Sequence, residues 1–164
     1  MDASSLLTMV ASECACASCQ SACTQKPGWF APGEAEKAAE YLGLTLKEFF
    51  DNHLIVDTWF ADLRSDNENV HVLSPAYTEV KSGDMAPAVN AGPCTFFKDG
   101  RCSIHPVKPL ECRIYDHTVD RDVASENHAK IMELWQDHQK QITELLGKEP
   151  VPPKPTLLDT IKSF

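Results

Sequence analysis

The sequence predicts a mainly α chain with a small irregular β element, an α+β fold, in 164 residues. Apolar residues recur at helical spacing over residues 34–54 and again over 125–147. Two short stretches between these helices alternate as half-buried strands do. Seven cysteines fall into two groups, expected on an N-terminal loop and on a central proline-rich loop. The expected organisation is an N-terminal lead over 1–13, one domain over 14–148 and a proline-rich tail over 149–164.

The first helix is expected from Glu34 to Leu42. Pro32 and Gly33 break the chain before it, and its acidic start suits the positive end of a helix dipole. Ala35, Ala38, Ala39 and Leu42 share one face, and Gly43 reads as the left-handed residue that stops the helix. Thr45 caps a second short helix, with Glu48 three residues on as a capping box. Leu46, Phe49, Phe50 and Leu54 form its buried side. Trp29, Phe30, Trp59 and Phe60 are assigned to the core.

"IVDTWFADL" from Ile55 is rich in β-branched and aromatic residues and reads as a strand. "VHVLSPAYTEV" from Val70 is its weaker counterpart, and "RSDNEN" between them is a loop by composition. "KSGDMAPAVNAGPC" is an irregular connection leading to Cys94. In "FKDGRC", Asp99-Gly100 is the strongest short hairpin signal, and such a hairpin brings Cys94 and Cys102 together. From Ser125 to Gly147 one long helix is expected, with Ile131, Trp135, His138, Ile142 and Leu145 in a single stripe. The tail starts extended and ends in Leu157, Leu158, Ile161 and Phe164, which can dock on the core or on a partner.

Composition excludes several functions. The net charge is −9, which repels nucleic acid. No apolar run of about 18 residues offers a spanning helix. The first residues carry no basic start and no continuous apolar stretch of a secretory signal, so a cytoplasmic protein is expected. A chain that is 43% hydrophobic can bury a core without disulfide staples. The odd cysteine count and a reducing compartment move the reading of the thiols from disulfides toward metal.

Cys14, Cys16, Cys19 and Cys23 lie within ten residues, and Cys16-x-x-Cys19 is the usual two-ligand clip for a tetrahedral metal. Cys94, Cys102 and Cys112 follow at intervals of seven and nine intervening residues, in a loop made rigid by Pro106 and Pro109. Thiolates suit zinc or iron–sulfur chemistry and not magnesium or calcium. Lys98, Arg101, Lys108 and Arg113 surround the second group and can offset thiolate charge or form an anionic-ligand patch. Arg113 is expected to stabilise thiolate charge.

Together the two groups resemble the CxxCxxCC family, also called the YkgJ family, of zinc- or iron-chelating proteins. In "CASCQSAC", Cys16, Cys19 and Cys23 match the family's cysteines, while Ala22 stands where a fourth is usual. Cys94, Phe96, Phe97, Cys102, Ile104, His105, Lys108, Pro109, Cys112 and Arg113 follow the second motif. The resemblance covers about residues 14–117 and implies metal ligation by Cys16, Cys19, Cys23, Cys94, Cys102 and Cys112. Cys14, His105 and His117 are further candidates, while His53, His71, His128 and His138 read as structural or surface residues.

Some relatives methylate lysine with S-adenosylmethionine, but the chain has no glycine-rich nucleotide loop, and methylation is not carried over. No Ser/His/Asp pattern or recognisably spaced carboxylate pair names a catalytic residue. The expected cofactor is zinc or iron, including a [4Fe–4S] cluster. The expected function is metal binding. Two alternatives stand beside it: a metal- or iron–sulfur-dependent enzyme acting on a protein or small molecule, and a partner-binding module with a structural metal. No nucleic-acid or membrane partner is expected.

Overall fold

The structure is a computed structural model. It describes residues 17–60, 69–88, 92–115 and 119–153, with backbone alone for Ser18 and Cys19. The architecture is α+β, with helices around two small antiparallel sheets.

Helix α1 spans Ala17–Gln25. Helix α2, Glu34–Tyr41, starts at Gly33, whose φ of 86° is left-handed and favours glycine. Ala35, Ala38 and Ala39 are buried, but Leu42 is 38% exposed, because the chain turns away at Gly43 before that position can reach the core. Helix α3, Leu46–His53, carries the expected capping box between Thr45 and Glu48.

Strands β1 (Leu54–Trp59) and β2 (Val70–Pro75) pair from Leu54↔Pro75 to Trp59↔Val70. β1 ends earlier than the pattern suggested, leaving Phe60 39% exposed rather than in the core. The loop expected at "RSDNEN" lies almost wholly outside the described residues. On the other edge of β1, Gly83 N–H donates to Leu54 O at 2.8 Å and Ala86 N–H to Val56 O at 2.7 Å. The irregular connection thus takes up backbone groups an edge strand would leave open.

Strands β3 (Phe97–Lys98) and β4 (Arg101–Cys102) form the expected hairpin, with Asp99 and Gly100 both at positive φ. A one-turn 3-10 helix at His105–Val107 leads to helix α4, Leu110–Ile114. Helix α5 runs Arg121–Trp135 and helix α6 runs Gln139–Leu146, so the single expected helix starts earlier and is divided by 3-10 geometry at Gln136–His138. Ile131, Trp135, Ile142 and Leu145 are buried as the stripe requires. His138 is exposed, with Nδ1 3.0 Å from Leu134 O.

Just past the division, Gln139 clamps the open edge of β2. Its Oε1 accepts from His71 N–H at 2.9 Å, and its Nε2 donates to His71 O at 2.9 Å. α5 and α6 both pack on β2, around a core that includes Phe30, Phe49, Leu73, Ile131 and Trp135. Trp135 Nε1 donates to Phe30 O at 2.7 Å, which ties the C-terminal helices to the chain between α1 and α2. Among the described residues no helix is long and apolar enough to cross a membrane. The apolar end of the tail lies outside the described residues.

Candidate metal centre

The segments carrying the two cysteine groups are fastened to each other by backbone bonds. Cys94 N–H donates to Cys23 O at 2.8 Å, and Gly92 N–H to Gln25 O at 2.6 Å. Gln20 Nε2 donates to Gly100 O at 3.1 Å, so α1 also lies against the β3–β4 turn. Cys23 on α1, Cys94 before β3, Cys102 on β4 and Cys112 on α4 then line one cavity of about 640 Å³. All four are free thiols and partly buried.

Three of the four sulfurs receive backbone N–H groups. Phe96 and Phe97 direct theirs at Cys94, Ile104 at Cys102 and Gly28 at Cys112. Such dipoles stabilise the thiolate. Burial acts the other way and is the larger effect at each sulfur. It raises the Cys23, Cys102 and Cys112 thiols above their ordinary range and pushes Cys94 up to about 12. Lys108 opposes this at Cys23 and Cys102 through its charge. The chain alone therefore holds neutral thiols at neutral pH, in a setting already equipped with donors for their charged form.

The helix bearing Cys112 has no side-chain cap of its own. Glu34, buried at 6% exposure on α2, supplies one from a distance. Its Oε2 accepts from Leu110 N–H at 2.9 Å and from Ala31 N–H at 2.8 Å, and its Oε1 pairs with Arg113. Arg113 thus pairs with Glu34. Of the basic cluster, Arg101 and Lys108 line the cavity.

A second carboxylate lies beside Cys112. Glu111 Oε2 accepts from Trp29 N–H at 2.6 Å, and Glu111 N–H donates to Trp29 O at 3.3 Å. Its Oε1 lies 2.5 Å from His128 Nδ1, and the His128 ring stacks on Trp29 with centroids 3.7 Å apart. Trp29 Nε1 donates to buried Asp57 at 2.9 Å, and Lys26 pairs with the same carboxylate at 3.1 Å. Gly28 is held so close that a Cβ there would stand 2.8 Å from Cys112 Sγ.

Of the predicted ligands, the structure brings Cys23, Cys94, Cys102 and Cys112 together. Cys14, Cys16 and His117 lie outside the described residues, and Cys19 is described in backbone only. His105 lines the same cavity, with Nε2 3.3 Å from Lys108 Nζ. His128, read from sequence as structural or surface, is in the cavity wall, and Gly28 and Glu111 were not singled out at all. Adjacency of Glu111 to Cys112 was the one local signal. The other two depend on packing between distant segments.

Among the described residues no three Cys, His, Asp or Glu side chains already stand in chelating geometry. The chemistry of the donor set nonetheless fits a thiolate-loving cation: four sulfurs in one partly buried cavity, with N–H donors on three and a lysine near two.

A family model described as "CxxCxxCC: Putative zinc- or iron-chelating domain" matches residues 15–139. The match extends past the motif-bearing stretch and takes in all of α5. No curated protein and no solved structure matches the chain.

Proposed function

The chain belongs to the CxxCxxCC family of zinc- or iron-chelating domains, and on that premise we propose that it holds its metal through the cysteines of both motifs. Cys23, Cys94, Cys102 and Cys112 are the ligands this reading assigns first, with Cys16 and Cys19 adding to the set from the first motif. The observation that carries it is the gathering of four free thiols, from α1, the segment before β3, β4 and α4, around one cavity.

Four thiolates satisfy one structural zinc. They equally satisfy a [4Fe–4S] cluster, which would supply electron transfer when bound. The chain's own part is the same in either case. Gly28, Phe96, Phe97 and Ile104 offer N–H groups to sulfur, Lys108 offsets negative charge at Cys23 and Cys102, and the surrounding core limits water.

The test is anaerobic purification followed by metal analysis, acid-labile sulfide and a visible spectrum. Colourless stoichiometric zinc identifies a structural or binding centre. Iron with equimolar sulfide identifies a cluster and opens redox assays. Intact thiols with no metal, and none taken up on reconstitution, overturn the reading.

A further inference from the structure

Cys112 is gripped by neighbours that share the cavity wall with it. The loop at Gly28–Trp29 passes over α4 so closely that Gly28 has no room for a Cβ, and its N–H is aimed at the Cys112 sulfur. What fixes that loop at this height is Glu111. Its side chain accepts from Trp29 N–H and its backbone N–H donates to Trp29 O, so residues 29 and 111 are joined twice. The other carboxylate oxygen is held by His128 from α5, and the His128 ring in turn presses on the Trp29 indole. The N–H···S contact is thus set by a carboxylate one residue from the sulfur and by an imidazole sixteen residues further along.

We propose that Glu111 is a positioning residue of the thiol centre: by holding Trp29 while His128 holds it, Glu111 keeps the Gly28 N–H on the Cys112 sulfur and so sets how tightly the centre retains its metal. The proposal rests on the reading of the cavity as a metal centre. It gives Glu111 no contact with the metal. Outer partners of this kind govern ligand orientation, and their loss typically weakens metal binding roughly 10–100-fold.

The experiment uses the full chain with zinc, measured by competition against a chromophoric chelator, and with cobalt as a spectroscopic substitute. Four variants are compared with wild type: Glu111→Ala, Glu111→Gln, His128→Phe and, as a remote core control in α6, Ile142→Val. Glu111→Ala is expected to weaken zinc binding roughly 10–100-fold and to shift the sulfur-to-cobalt charge-transfer band. Glu111→Gln keeps an acceptor for Trp29 N–H and is expected to restore most of both. His128→Phe keeps the ring on Trp29 but releases the carboxylate, so it should fall between them with the same number of sulfur ligands. Ile142→Val should lower the unfolding midpoint and leave the band in place.

A band unchanged in Glu111→Ala, or an affinity loss no greater than the control shows per degree of midpoint lost, overturns the proposal. A ligand-field change in His128→Phe that reports loss of a nitrogen donor also overturns it, because His128 would then be a ligand. A wild-type chain that binds neither zinc nor cobalt overturns the metal reading itself. A wild type that binds, with all variants alike, overturns this proposal alone.

Discussion

Glu34 joins three things that would otherwise be loose: the N-terminus of α4, the Ala31 amide and the Arg113 guanidinium. Removing one partner of a buried ion pair leaves the other uncompensated, which costs about 3–5 kcal/mol. Glu34→Ala should therefore destabilise the chain by about 3 kcal/mol in a denaturant titration, and Glu34→Gln, which keeps acceptor capacity, by less. Gly28→Ala tests a different kind of constraint. The new methyl meets Cys112 Sγ and the Cys112 backbone at once, and overpacking of this sort costs about 1–3 kcal/mol. Its distinguishing mark should be reduced metal retention under chelator challenge, since the displaced atom is a proposed ligand. Neither residue advertised itself in the sequence. Glu34 read as part of the acidic start of its helix, and Gly28 carried no local signal. Their roles depend on segments about eighty residues away.

The elements themselves were more legible. The capping box at Thr45 and Glu48, the Asp99-Gly100 turn and the buried stripe from Ile131 to Leu145 are all local patterns, and local patterns survive into the fold. The division at Gln136–His138 was not legible, because nothing in helical periodicity anticipates the adjoining Gln139 side chain engaging both backbone groups of His71. That clamp acts as a one-residue substitute for a neighbouring strand. Gln139→Ala leaves a partly buried amide and carbonyl without those partners, at about 1–3 kcal/mol for the unsatisfied groups. Hydrogen exchange offers the sharper readout: the His71 amide should exchange markedly faster in the variant, while amides of α2 and α3 stay protected. Unchanged His71 protection would mean that β2 does not depend on the clamp.

At the scale of the molecule, the thiol centre joins charge state to stability. Burial raises the folded-state values of the cysteines, Cys94 to about 12 against an ordinary value of 9.0. A raised folded value means the native state binds more protons above the unfolded value. The metal-free chain should therefore keep this contribution to its stability below about pH 9 and lose it as pH rises toward 12. A metal reverses the preference, because it binds thiolates only. Loading the metal-free chain at neutral pH should release protons, detectable in a weakly buffered indicator solution, and retention should fall as pH is lowered. Chelation should also lower the thermal midpoint by several degrees, since binding free energy is folding free energy.

The backbone bond between Cys23 and Cys94 bears on how the chain is made. Cys112 follows Cys23 by 89 positions. At about 5–20 residues per second, translation separates the two by roughly 4–18 s. During that interval Cys23 is without the complete set of thiols that share its cavity. On the proposed ligand set, complete loading waits until Cys112 has been made. A chain stalled before Cys112 would carry early cysteines with an incomplete ligand set.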